Sequence, residues 1–203
     1  MISCRGRVDK KHTTGHAGFR LSREEMQELL TIARSSIEAV LDEKATRLTP
    51  PRSPALQQCS GAFVTLEAGS RLRGCIGSME SDQPLFRTVS EMAVSSAFSD
   101  PRFPPLSRDE LGRIRIEISV LSPLTKITTP EAIEVGVHGI LLRKGPYSGV
   151  LLPQVAEKYD WTREEFLRQT CMKAGLPAGA WRESGCEIWI FGALVFGEDK
   201  DAD

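Results

Sequence analysis

The chain has 203 residues, 26 basic and 27 acidic, and a formal net charge of −1; 40% of its residues are hydrophobic and 26% charged. This composition supports a buried core, as one ordinary domain or two small ones closely joined. The charge balance ranks nucleic acid and anionic membranes low as main partners, because no basic excess is present to neutralise phosphates.

Met1 to Phe19 is polar and lacks apolar period, so residues 1–19 read as a disordered leader rather than a signal peptide, and no apolar run is long enough to cross a bilayer. The expectation is a soluble protein, cytoplasmic by default. Ser22 and Glu25 form a capping box for a helix that carries Met26, Leu29, Leu30, Ala33, Ile37, Val40 and Leu41 to about Ala45. Pro50, Pro51 and Pro54 then impose a loop. Gly61 to Glu67 reads as a strand, and Leu72 to Ser78 as its hairpin partner across the turn at Ala68–Ser70. A helix starts at Pro84 and ends near Asp100, and the segment Asp100 to Leu106 holds too much proline for regular structure. Ser107 and Glu110 form a second capping box, on a short helix closed by Gly112.

Arg113 to Leu121 alternates strictly, with Ile114, Ile116, Ile118 and Val120 on one face and Arg115, Glu117 and Ser119 on the other. Short strands follow near 140–143 and 150–152, separated by Gly-Pro-Tyr-Ser-Gly, and then a short helix from Pro153 to Tyr159. Thr162 and Glu165 cap a helix carrying Phe166, Leu167, Thr170 and Cys171, with Gly175 at its C-terminal stop. Glu187 to Phe196 is a last strand with a candidate bulge at Gly192, and the acidic tail that follows is solvated. Hairpins without regular β-α-β alternation define an α+β fold with antiparallel sheets. Neither G-x-G-x-x-G after a strand nor a Walker-type loop occurs, so the chain calls for no nucleotide cofactor.

The cysteines are Cys4, Cys59, Cys75, Cys171 and Cys186, an odd number at wide spacing, which argues against a disulfide framework and against paired zinc ligands; no metal is expected. His12 and His16 lie in the leader, so imidazole chemistry in the folded body falls to His138. In an unbroken strand, Leu72, Gly74 and Ile76 face the core, while Arg73 and Cys75 point together elsewhere. A guanidinium beside a thiol favours the thiolate, which is the nucleophile. Gly74 and Gly77 allow another backbone or a ligand to approach closely. His138, bracketed by Gly136 and Gly139, is a candidate general base, and on residue type alone the structural histidine that donates to a carbonyl is the favoured reading. Glu117 shares the face of Cys75 if the two strands are neighbours, where it can orient His138, and is otherwise a solvated strand residue. Arg102 and Phe103 are presented rigidly by the surrounding prolines. The competing reading of Cys75 is a small buried apolar residue.

Leu72-Arg-Gly-Cys-Ile-Gly77 resembles the LRGCIG signature of the AMMECR domain family, named for the Alport syndrome, midface hypoplasia and elliptocytosis chromosomal region. Supporting segments occur in the family's order at 61–66, 100–106, 117–123, 135–139, 151–156 and 173–177. The resemblance covers about Leu21 to Glu198 and is nearest to the prokaryotic branch, the type grouped in the AmmeMemoRadiSam system. It implies two subdomains of unequal size, each with an antiparallel sheet flanked by helices, and a cleft between them lined by the signature. The larger is expected at about residues 20–125 plus 183–198, the smaller at about 126–182, with an acidic tail at 199–203.

The family has no established activity. Two functions follow as expectations. One is a cysteine-dependent enzyme with Cys75 as thiolate, His138 as base, Glu117 as orienting acid, and Arg73, Gly74, Gly77, Arg102 and Phe103 contacting a protein, peptide or small-molecule substrate. The other is a non-catalytic partner protein working with a Memo-like protein and a radical SAM enzyme, as the resemblance implies.

Overall fold

The computed structural model describes residues 20–45 and 48–198. The leader with Cys4, His12 and His16, and the tail at 199–203, lie outside the described residues. Contacts divide the chain into two units: unit 1 runs up to Leu121 and resumes at Leu194, and unit 2 is Ser122–Ala193. Unit 2 thus starts about four residues before the expected 126 and ends eleven residues after the expected 182. Ser122 and Gly192 exchange hydrogen bonds inside it, the Ser122 N–H reaching the Gly192 carbonyl at 2.9 Å and the Gly192 N–H reaching the Ser122 hydroxyl at 2.8 Å.

In unit 1, β1 (Ala62–Ala68) and β2 (Arg71–Ser78) form the expected hairpin, and β1 also pairs antiparallel with β3 (Ile114–Leu121). The end of the last strand, β7 (Glu187–Gly197), runs beside β3, where the Glu198 N–H meets the Ile116 carbonyl at 3.0 Å. One face of this sheet is aliphatic: Ala62, Val64 and Leu66 alternate on β1, and Ile114, Ile116, Ile118 and Val120 on β3. Helices α1 (Arg23–Leu41) and α2 (Leu85–Phe98) cover that face with Leu29, Leu30, Ala33, Ile37, Val89 and Ala93. Each buried isoleucine or leucine in such a core contributes about 1.5–3 kcal/mol of transfer free energy. The helices meet through a 2.7 Å bond between the Ser36 and Ser90 hydroxyls. The Ser22–Glu25 capping box forms, and α1 stops at Asp42, short of the expected Ala45, as the chain turns through a positive φ at Glu43.

In unit 2, β7 pairs with both β4 (Thr125–Ile127) and β5 (His138–Lys144), and β5 pairs with β6 (Tyr147–Leu151); every pairing is antiparallel. Gly192 stays in register opposite His138. The β5–β6 turn is tighter than expected: only Gly145 and Pro146 lie between the strands, Gly145 takes φ +56°, and Tyr147 and Ser148 belong to β6. β4 is an addition, three residues long and mostly exposed, with no apolar alternation to reveal it. Helices α3 (Pro153–Lys158) and α4 (Arg163–Lys173) pack on this sheet. Thr162 and Glu165 cap α4 reciprocally, and Gly175 ends it at φ +74°.

Among the described residues no helix is long and apolar enough to cross a membrane.

Candidate functional site

Cys75 occupies the middle of β2. Thr65 of β1 lies directly opposite it, and Glu117 of β3 lies directly opposite Thr65. Residues paired in this way share a sheet face. Cys75, Thr65 and Glu117 therefore form one row across three strands, on the face away from α1 and α2. The Thr65 hydroxyl donates to the Cys75 sulfur at 3.4 Å.

The hairpin register breaks between Leu66 and Glu67: Leu66 pairs with Gly74, Glu67 pairs with Leu72, and Arg73 is the extra residue. Strict alternation placed Leu72 in the core and Arg73 beside Cys75. The irregularity exchanges them, as an inserted residue does in a pleated strand. Leu72 is 42% exposed on the Cys75 face, and Arg73 is only 9% exposed. The Arg73 guanidinium grips the Glu110 carboxylate at 2.7 and 3.0 Å and reaches the Pro105 carbonyl at 3.4 Å, over the Phe103 ring. Its Nη1 is buried with no hydrogen-bond partner. Arg73, together with the Ser107 N–H, holds the Glu110 carboxyl down to about 2. Glu110 thus serves two roles, capping its short helix and binding Arg73.

Arg102 is likewise committed. Asp100 is 4% exposed and accepts from Arg102 Nη2 at 2.6 Å and Nε at 2.9 Å, and from the Cys75 backbone N–H at 2.9 Å. Arg102 Nη2 also donates to the Cys75 carbonyl at 3.1 Å. Both backbone polar groups of Cys75 are taken by this ion pair, which also protects β2 as the terminal strand of its sheet. The Arg102 hydrogen bonds hold the Asp100 carboxyl far below the usual carboxylate range. The Phe103 ring centroid lies 5.9 Å from the Arg73 guanidinium and 5.5 Å from that of Arg102.

Glu117 is half-buried. Burial, and next the Glu67 charge, push its carboxyl up, with Arg115 opposing. Arg115 pairs with Glu67 at 3.6 Å and donates to the Glu198 carbonyl.

The two glycines of the signature admit parts of the protein itself. A Cβ on Gly74 would lie 2.1 Å from the Ser96 carbonyl oxygen of α2, and one on Gly77 would lie 2.2 Å from the Phe63 ring. The close approach expected there is made by a neighbouring helix backbone and an aromatic ring.

His138 begins β5 in unit 2 and is 1% exposed. Its Nδ1 accepts the Glu134 backbone N–H at 2.9 Å, and its own N–H donates to the Glu134 carbonyl at 2.9 Å. An Nδ1 that accepts carries no proton, so the neutral ring holds its proton on Nε2. In this tautomer Nε2 is a donor, and Nδ1 is occupied.

Asp100, Thr65 and Glu110 join the site without having been singled out from sequence. An acid two residues before Arg102, at a proline turn, was the available signal for Asp100. Of the described cysteines, Cys75, Cys171 and Cys186 are free thiols, whereas Cys59 is disulfide-bonded, which the odd count and wide spacing did not indicate. Among the described residues no cluster of histidine, cysteine and carboxylate side chains fits a metal ion.

An antiparallel α+β chain with this signature on a terminal hairpin strand has close counterparts. The family model described as AMMECR1 matches residues 30–196, and the chain belongs to that family. A protein of Methanothermobacter thermautotrophicus is 43% identical over 186 residues, covering 88% of this chain and 97% of the relative. One from Nanoarchaeum equitans is 39% identical, covering 84% of this chain and 99% of its own. The crystal structure of the uncharacterized protein PH0010 from Pyrococcus horikoshii is similar in fold, with a TM-score of 0.79 and 38% identity over 85% of this chain and 90% of that one.

Proposed function

We propose that this protein is a cysteine-dependent enzyme whose substrate lies along the row Cys75–Thr65–Glu117 of unit 1. The observation that supports this is the register itself, which sets a half-buried thiol and a half-buried carboxyl on one sheet face, one strand apart from a shared threonine. Cys75 attacks an electrophilic carbon as its thiolate, and the bond from that carbon to the departing group breaks. Glu117, held toward its protonated form by burial, protonates that group, and the proton the Cys75 thiol gave up returns to Glu117 through solvent. Asp100 and Arg102 keep the Cys75 backbone rigid, so the sulfur is positioned before substrate arrives. Glu117 takes the proton-transfer role that the sequence offered to His138, because both imidazole nitrogens are unsuited to accept a proton in the tautomer described.

The test uses p-nitrophenyl acetate as an acyl probe. A burst of nitrophenolate with one acetyl group on Cys75, absent in Cys75→Ser, and slower in Glu117→Gln, supports the reading. Acetylation confined to lysines, with no burst, sinks it.

A second reading has its own support. Arg102 and Arg115 are each already paired with a carboxylate, and Leu72 stands exposed on the same face as Cys75. A rigid face of paired charges with one exposed aliphatic suits recognition of a partner, such as a Memo-like protein or a radical SAM enzyme. Under this reading Cys75→Ser retains the complex in a pull-down, and Leu72→Asp loses it.

A further inference from the structure

Unit 2 carries a second pair of sulfur atoms that the proposed chemistry does not use. Cys171 lies in the last turns of α4 and is fully buried against Leu142, Ala174 and Ala180. Cys186, just before β7, packs on that same small core beside Leu176 and Trp181 and is half-buried. Both thiols are free. Each also responds to the same neighbours: Lys144 of β5, which favours ionisation, and Glu183, which opposes it. At Cys186 the neighbouring Cys171 and Glu187 add to the opposition. Lys144 and Glu183 form an ion pair over this cluster. Two thiols in one apolar cluster, one reachable from solvent and one enclosed, form the arrangement in which an attacking and a resolving sulfur act in sequence.

We propose that Cys171 and Cys186 are a redox pair that closes into an intramolecular disulfide when a low-molecular-weight disulfide is present. Cys186 attacks the small disulfide as its thiolate; one sulfur bond breaks, and the leaving thiolate takes up the proton that Cys186 lost. The Cys171 thiolate then attacks the mixed disulfide at the Cys186 sulfur, releasing the second small thiol, which takes the Cys171 proton. The protein loses two electrons and two protons, and the small disulfide gains both. The bond ties α4 to the start of β7 and closes a loop of about 15 residues, a length for which a cross-link restrains the unfolded chain appreciably. Burial pushes both thiols up, so exchange is slow near neutrality and quickens with pH.

The experiment uses the full chain carrying Cys75→Ser, treated with glutathione disulfide at about pH 8.5, where thiolate is available. Tryptic mapping without reductant is expected to recover the Cys171 and Cys186 peptides joined. The unfolding midpoint is expected to rise by on the order of 5–10 °C and to return on reduction. With Cys171→Ser added, the reaction is expected to stop at one glutathione on Cys186. Glutathione persisting on Cys186 while Cys171 is intact, or no change at either cysteine, overturns the proposal. Cys75→Ser leaves this outcome unaffected, so the test is independent of the nucleophile reading.

Discussion

The Asp100 carboxylate accepts the backbone N–H of Cys75 at 2.9 Å while Arg102, bound to the same carboxylate, donates to the Cys75 carbonyl at 3.1 Å. A side chain 25 residues away in sequence thereby fixes the strand that carries the thiol. Asp100→Ala removes several charge-assisted hydrogen bonds at once and is expected to cost roughly 2–4 kcal/mol in urea unfolding. Asp100→Asn keeps an oxygen for the Cys75 N–H and is expected to cost about half as much. Equal losses in the two variants would show that the bond to Cys75 contributes nothing.

Acid should weaken unit 1 through the same carboxyls. Asp100 and Glu110 both have folded-state values below their ordinary ones, Glu110 at about 2. Groups depressed in this way contribute stability that is complete above the ordinary carboxylate range and disappears as pH falls through the folded values. The Glu110 side chain is about a third exposed, so solvent screens part of its contribution. Denaturation midpoints measured downward from about pH 5 to about pH 2 are expected to fall. Glu110→Gln is expected to flatten that slope; an unchanged slope refutes the assignment.

Glu117 has the opposite sign. Its carboxyl is raised, so the fold favours the protonated form, and its favourable contribution is lost as pH rises through the folded value. Glu117→Gln is expected to raise the unfolding midpoint at neutral pH by a small margin, since the group is half exposed to solvent. The gain should vanish below about pH 4, where wild type is also neutral. A variant less stable than wild type at neutral pH contradicts this.

Gly74 has no room for a methyl group. Its missing Cβ would meet a backbone carbonyl of α2 at 2.1 Å, which cannot swing aside as a side chain can. Gly74→Ala is expected to destabilise by about 3 kcal/mol or more, the upper range for overpacking. Gly77→Ala first meets the Phe63 ring, and the Ala62 carbonyl at 2.8 Å is the backbone limit there. Gly77→Ala combined with Phe63→Ala should therefore recover stability relative to Gly77→Ala alone, whereas no side-chain truncation rescues Gly74→Ala.

The His138 ring is expected to carry its proton on Nε2. Nitrogen chemical shifts of the imidazole distinguish the tautomers directly, and a protonated Nδ1 would restore His138 as a candidate base.

Much of this fold is legible in the chain. The capping boxes at Ser22 and Thr162 and the alternation of Ile114 to Val120 specify their elements locally, so sequence reading finds them. β4 escapes because three mostly exposed residues leave no pattern, and the start of β6 is obscured by the composition Gly-Pro-Tyr-Ser-Gly, which reads as a turn throughout. In the candidate site, Cys75 and Glu117 are recognisable as residues, but their row depends on β1 lying between β2 and β3, a long-range pairing that no hairpin rule supplies. The partners of the arginines are not readable. Arg73 and Glu110 stand 37 positions apart, and no local rule couples them. Nor does residue type reveal that Leu72 is outward and Arg73 inward.

The extra place that Arg73 occupies in β2 makes this segment depend on a count as well as on a composition. Removing any one residue between the hairpin turn and Gly74 would restore uninterrupted alternation without altering the chemistry of those that remain. The enclosed guanidinium would then be lost or carried opposite Glu67 to the outer face, and Glu110 would lose its cation. A single-codon deletion here is thus a sharper perturbation than most substitutions, and chains that keep the spelling of the signature but change its spacing to the turn would present a different surface.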